Sequence, residues 1–244
     1  MLQHIAFGSK NCPIPKQSFI TPRGPVTIQE AGKKEIPEIA KLIENEFWPD
    51  EIEIDFEKLA RRRAGEEIYL KTIFNQKDGN ATVLTARTPQ NELVGVAVMG
   101  KADYYNDLKL DGVGRITSCC IKSEYQKNGL GKKFIDLLLN SVKGRYTDVV
   151  LESKNNAINF YEKLGFKRWP ESLKPLDDYV KRYSRNLPLH KNLDQKNTWI
   201  KQTQEELAKK NGELEFNITN VKGYENLRER AHEIYKKEYR FFAT

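Results

Sequence analysis

The chain has 244 residues, 39% of them apolar, and a formal net charge of +7 in which Lys and Arg are interspersed with Asp and Glu. That composition supplies a packed core, while its evenly mixed charge argues against a nucleic-acid-binding surface. No apolar run is long enough to cross a bilayer, Ile5 to Phe7 is too short for a secretory signal, and the odd set Cys12, Cys119 and Cys120 points away from a disulfide framework towards a reducing, cytoplasmic setting.

Residues 1–26 carry Pro13, Pro15, Pro22 and Pro25 with little periodicity and read as an irregular arm. A strand at Val26 to Gln29 leads into a helix over Lys34 to Phe47, where Ile36, Ile39, Ala40, Ile43 and Phe47 recur at helical spacing. Trp48 to Asp55 is a loop, and Phe56 to Ala64 a second, short helix whose Arg61-Arg62-Arg63 run reads as an exposed face. Ala81 to Arg87 and Leu93 to Met99 are β-rich and joined by a segment of hairpin composition, and a third strand runs from about Val113 to Ile121. The connection Lys101 to Gly112, with Tyr104 and Tyr105, is long for a meander and reads either as a lip over a site or as a disordered excursion.

After Gly131 a helix sets Phe134, Leu137, Leu138 and Val142 on one face, and Asp148 to Ser153 forms the next strand. A strand, helix, strand unit of this length requires a parallel, right-handed crossover. Residues 155–164 are helical with Gly165 as C-terminal cap, and Phe166 to Trp169 and Asp178 to Leu187 are the closing strands. The tail holds two amphipathic helices, Thr198 to Lys210 and Tyr224 to Phe242, the second with Tyr224, Leu227, Ala231, Ile234, Tyr235 and Phe241 on one stripe. This tail either packs on the core or a partner subunit, or serves partner recognition or targeting.

Residues 118–134 are the most informative stretch, an apolar strand passing through a glycine-bearing turn into an amphipathic helix. Gly129 and Gly131 let the backbone approach an anion closely, and the helix they open aims unpaired N–H groups at it. A Walker loop would need glycine at Gln126 and serine or threonine at Lys133, and a dinucleotide fingerprint would need a small residue at Phe134. What remains is Gln126-Lys127-Asn128-Gly129-Leu130-Gly131, followed beyond the next strand by Phe160-Tyr161-Glu162-Lys163-Leu164-Gly165-Phe166. Together these resemble the GNAT superfamily of acyl-CoA-dependent N-acyltransferases, over about residues 27–187.

The resemblance implies a mixed α/β (α+β) fold: a mostly antiparallel sheet with a splayed parallel pair and flanking helices. An irregular arm over 1–26 precedes it and a helical extension over 188–244 follows. It implies an N-acetyltransferase with acetyl-CoA as co-substrate and no metal, in which an amine attacks the thioester directly. The strands at Cys119 to Ile121 and Val149 to Ser153 would admit the pantetheine arm, with Cys119, Cys120 and Ile121 pairing to it and one N–H polarising the acyl carbonyl. Gln126, Lys127, Asn128, Gly129, Leu130, Gly131 and Lys132 would hold the pyrophosphate, with Asn156 a further cofactor contact.

Tyr161 aligns with the family's general acid towards sulfur, the alternative being a packing aromatic. Glu152 resembles a strand-end base, the alternative being an exposed, salt-bridging glutamate. The chain departs from the family at Ser123, where proline is common, and at Lys154, where a pantetheine-contacting asparagine is common. Cys119 and Cys120 find no histidine partner, since His4, His190 and His232 are read outside the core, and nothing clusters at metal-ligand spacing.

The acceptor is a small-molecule or peptide amine. Asp50, Glu51, Glu53 and Asp55 suit a cation such as a polyamine, an aminoglycoside, or a protein lysine or N-terminus. The competing reading is a non-catalytic, CoA-binding interaction module acting through 193–244, the segment that also offers a homodimer or partner contact. Neither nucleic acid nor membrane is an expected partner.

Overall fold

The structure, a computed structural model, describes residues 14–47, 55–75, 81–102, 112–170, 173–174, 187–193, 198–209 and 224–239. Of the expected irregular arm, residues 1–13 lie outside the described residues, and from Gln17 it is corrected: β1 (Gln17–Thr21) and β2 (Gly24–Glu30) form an antiparallel hairpin. Pro22 presets the backbone for the turn, the Thr21 hydroxyl accepts the Arg23 N–H at 3.2 Å and donates to the Gly24 carbonyl at 2.8 Å, and Gly24 takes φ of 112°. Pairing of β2 with the following strand begins only at Thr27, so Pro25 owes that side no donor. Two of the prolines that suggested irregularity, Pro22 and Pro25, therefore belong to this turn and the strand that follows it.

The next helix, α1 (Ile36–Phe47), buries Ile36, Ile39, Ala40, Leu42 and Ile43. After it, α2 (Phe56–Phe74) continues well beyond Ala64. Gly65-Glu66-Glu67 interrupts the apolar pattern, but Ile68, Leu70 and Ile73 carry the buried stripe on. Asp55 caps α2 by accepting the Lys58 N–H at 2.9 Å. Asp55→Ala is expected to lower the unfolding free energy by about 1 kcal/mol in a urea titration.

Strands β3 (Thr82–Arg87), β4 (Leu93–Lys101) and β5 (Val113–Ile121) form an antiparallel meander. Then α3 (Leu130–Ser141) crosses to β6 (Asp148–Ser153), which lies parallel to β5. Next come α4 (Ile158–Lys163), β7 (Lys167–Arg168) and β8 (Leu187–Asn192). The closing strand was expected over 178–187, of which 178–186 lie outside the described residues, yet Leu187 begins β8 rather than ending a strand. Pro188 disguised it; β7 pairs only with Leu189 and His190, so the proline lies beyond that ladder. His190 is correspondingly buried within the sheet, correcting its expected position outside the core.

The eight strands among the described residues make one sheet in the order β1-β2-β3-β4-β5-β6-β8-β7, antiparallel except at β5 and β6. Helices α3 and α4 cover one face, with Phe134, Leu138 and Tyr161 packed on Leu84, Ala97, Met99, Val149 and Leu151. On the other face α1 and α2 bring Ile39, Ile43, Leu70 and Ile73 onto Val83, Val96 and Val98. The alternation of adjacent β residues between the two sets is the strand period of two.

Of the tail, α5 (Thr198–Lys209) and α6 (Leu227–Ile234) are described, α6 running on as a π turn over Tyr235–Tyr239. The apolar stripe of α6 packs on α2, where Ala60 and Ala64 allow close approach to Ala231 and Ile234. Phe241, expected on the same stripe, lies outside the described residues. Arg63, expected on an exposed face, is buried beneath this contact and ion-paired with Glu44.

Candidate active site

The parallel pairing of β5 and β6 runs from Val113–Asp148 to Ile116–Leu151 and stops there. Both strands continue, β5 to Ile121 on β4 and β6 to Ser153 on β8, so a slot opens in the middle of the sheet. A β-bulge marks the divergence: Ser118 faces Val98 and Ile116 faces Met99, leaving Thr117 as the extra residue. The bulge also shifts the side-chain alternation, so Ile116, Cys119 and Ile121 point to the α3/α4 layer while Cys120 packs with the α1/α2 layer. The edge that β5 turns towards the slot can pair with an extended polar chain as a missing strand would.

At one end of the slot lies the expected anion loop. Lys127 and Gly129 both take positive φ, 60° and 90°, and Gly129 caps α3. The Lys133 N–H bonds the Gly129 carbonyl, so the amides of Leu130, Gly131 and Lys132 precede the helical ladder. Asn128 Oδ1 occupies the first of these at 3.3 Å, while those of Gly131 and Lys132 stay available to an anion. Gln126 has a supporting role in the geometry, its Nε2 donating to the Ile121 carbonyl at 2.8 Å. Gly131 also keeps room there: a Cβ would sit 3.3 Å from Phe160 Cζ and 3.4 Å from Ile121 Cδ1, a tight fit. Lys132 pairs with Asp136 at 2.6 Å on the exposed surface.

Tyr161 reaches the slot from α4, held edge-on by Phe160 and Phe166 at ring distances of 4.9 and 5.7 Å. Burial, and then the thiols of Cys119 and Cys120, push its phenol well above the usual range. It remains a neutral O–H donor. Burial pushes the Cys119 thiol up to about 12 and Cys120 well above its ordinary value, so neither is a thiolate nucleophile near neutral pH. Tyr161 and Cys119 thus share the α3/α4 layer beside the place where the ladder ends.

Known proteins share this fold. A sequence profile for the acetyltransferase (GNAT) domain matches residues 55–174, from the start of α2 to just past β7. The chain belongs to the GNAT superfamily. Its domain is accordingly that of an acyltransferase. PH1933 from Pyrococcus horikoshii OT3 shares the fold at 20% identity and a TM-score of 0.51, over 69% of this chain and 98% of that one. A GNAT-family acetyltransferase from Staphylococcus aureus Mu50 does so at 17% identity and a TM-score of 0.51, over 69% and 99%. No curated protein matches the chain in sequence.

On the α1/α2 side of the GNAT slot, the carboxylates are sorted by their partners. Arg115 Nη2 bonds Glu152 Oε1 at 2.5 Å, so the residue expected as base is in a salt bridge. Lys154, standing where the family has asparagine, donates to the Phe47 carbonyl and sits 4.7 Å over the Phe47 ring, tethering β6 to the end of α1. Asn156 is exposed in the turn before α4. Asp55 is committed to capping, and the other acidic residues of its loop, like Tyr104 and Tyr105, lie outside the described residues.

Glu66 was missed. It occupies an apolar-stripe position of α2, between Leu59 and Leu70, and burial pushes its carboxyl up to about 7. Its signal was a carboxylate at helical spacing from leucines, hidden because the helix was ended at Ala64. No group of three metal-ligating side chains occurs among the described residues.

Proposed function

We propose that this GNAT domain moves an acetyl group from acetyl-CoA to a primary amine by direct attack through a tetrahedral intermediate. The observation that carries the reading is the opening of the β5–β6 ladder beyond Ile116 and Leu151, with an amide-lined loop at its end and a neutral phenol beside it. An extended pantetheine would fill the missing strand, paired to the backbone of Cys119 to Ile121, with one N–H polarising the acyl carbonyl. The loop Gln126 to Lys132 would hold the pyrophosphate, chiefly through the free amides of Gly131 and Lys132, with Lys132 and Lys133 adding positive potential. Tyr161 donates its O–H to the departing sulfur. With its acidity weakened by burial, it serves as a hydrogen-bond donor to the thiolate rather than becoming a tyrosinate.

The acceptor in this reading is a cation, favoured by the carboxylates of Glu46 and Glu66 on the side opposite Tyr161. Burial, then the Glu124 carboxylate, push the Glu46 carboxyl up against the opposing pulls of Lys122 and the Ser123 amide. A cytoplasmic setting fits the free thiols of Cys119 and Cys120. No helix among the described residues is long and apolar enough to cross a membrane.

The test is thiol release from acetyl-CoA in the presence of polyamines, aminoglycosides and lysine peptides. Amine-dependent release is expected, with Tyr161→Phe lowering kcat by about 10-fold, the loss of one hydrogen bond to a charged group, at little change in the acetyl-CoA KM. Tight acetyl-CoA binding without amine-dependent release would favour the non-catalytic module instead.

A further inference from the structure

We propose that Glu66 takes the proton from the incoming amine. The inference rests on the amine-acyltransferase reading above and adds the residue that makes the amine nucleophilic. Leu59, Arg63, Glu66, Leu70 and Ile73 follow one another at helical spacing along α2. Leu59, Leu70 and Ile73 are fully buried, and Arg63 is paired with Glu44. Of the two charged side chains in this series, Glu66 is the one with neither a hydrogen bond nor an ion pair among the described residues. The carboxylate beside it contrasts: both Glu67 oxygens accept from Arg230, at 2.7 and 3.0 Å. Glu66 is half-buried and densely surrounded by protein, with an edge left to solvent.

Leu70 and Ile73, further along the same stripe of α2, pack in one cluster with Cys120 at the edge of the slot. The Cys120 thiol lies within the fields of Glu66 from α2, Glu46 from α1 and Lys154 at the end of β6. Tyr161 packs in one cluster with Cys119 on the α3/α4 side. A proton donor and an unpaired carboxylate therefore lie on opposite sides of the place where the ladder opens. The other two carboxylates are engaged, Glu152 by Arg115 and Glu46 by the Ser123 amide.

The protons balance as follows. The amine arrives as its ammonium and gives one proton to the Glu66 carboxylate, which later passes it to solvent. The freed lone pair forms the N–C bond, and the carbonyl π electrons move to oxygen. On collapse the carbonyl reforms and the C–S bond breaks with its electron pair on sulfur. The second nitrogen proton ends on that sulfur, so acetyl-CoA and an ammonium yield an amide, coenzyme A and one released proton. Burial brings the Glu66 carboxyl up to about 7, where it accepts a proton from the amine far better than an exposed glutamate; it is about half ionised at neutral pH and largely ionised above it.

The experiment measures kcat and KM for wild type, Glu66→Gln and Glu152→Gln from pH 6 to pH 10 against the same amine panel. Wild-type kcat/KM is expected to rise with pH through a limb near 7. In Glu66→Gln that limb should vanish, with kcat about 100-fold lower at pH 7 and recovering as pH approaches the free-amine pKa of ~10, at an unchanged acetyl-CoA KM. A melting temperature no lower than wild type would show that the fold survives, as removal of an unpaired carboxylate from a crowded site should allow. Amine acetylation that keeps its wild-type profile in Glu66→Gln, or loses the limb only in Glu152→Gln, would overturn the assignment and leave the acyltransferase reading standing. Absence of turnover with every amine at every pH would overturn both.

Discussion

Arg63→Ala is expected to lower the unfolding free energy by about 3–5 kcal/mol, because it leaves a buried carboxylate without its partner. The Arg63 side chain is 3% exposed and that of Glu44 1%, and the guanidinium Nε donates directly to Glu44. The rest of the network comes from the far end of the chain. Arg63 Nη1 pairs with Glu238 at 2.6 Å, Arg63 Nη2 bonds the Tyr239 hydroxyl, and that hydroxyl donates to Glu44 Oε1 at 2.5 Å. Lys41 closes the outer side on Glu238 at 2.8 Å. For a chain of this size the loss corresponds to a fall in melting temperature on the order of 10 °C. Tyr239→Phe should cost less, about 1–2 kcal/mol, since the ring keeps its stacked contact with Phe56 at 5.4 Å. Replacing Glu44 and Arg63 together with apolar residues of similar size should recover most of the loss. A single Arg63→Ala cost below about 1 kcal/mol would mean that water reaches Glu44 and the pair is not desolvated.

That network explains part of what the sequence could not reveal. Arg63 sits in a basic triplet whose natural reading is a solvated face, and the groups that bury it arrive from Glu44 and from Glu238 and Tyr239 on the tail. Periodicity identifies a helix and its apolar stripe, but a charged residue on that stripe is interpretable only once its partner is known. The same holds for Glu66, whose lack of a partner among the described residues is a three-dimensional fact. Elements defined by local chemistry were legible: β5 and β6 read at their observed limits, and α3 began at the glycine loop. Proline caused the two strand errors, at Pro22 and Pro25 and again at Pro188, because a strand tolerates proline wherever the neighbouring ladder is absent. The bulge at Thr117, which opens the slot, has no sequence mark, since threonine is an ordinary strand residue.

Gly131→Val should raise the KM for acetyl-CoA about 100-fold while changing kcat far less. A Cβ at this position meets Phe160 at 3.3 Å and Ile121 at 3.4 Å, so the branched side chain cannot settle into the packed side without moving both. The remaining direction is towards the amides of Gly131 and Lys132, the groups that precede the α3 ladder and are free to meet a pyrophosphate. Hydrogen bonds to charged groups contribute about 1.5–3 kcal/mol each, and losing one or two of them amounts to roughly two decades of affinity. Pyrophosphate contacts are made equally before and during the chemical step, so their loss falls on KM. Stability separates this effect from unfolding, because helix propensity favours valine over glycine and offsets part of the crowding at Phe160. Calorimetric titration with coenzyme A should report the same loss without any acceptor present. An affinity within threefold of wild type would place the pyrophosphate elsewhere and leave Gly131 as a packing residue between α3, β5 and α4.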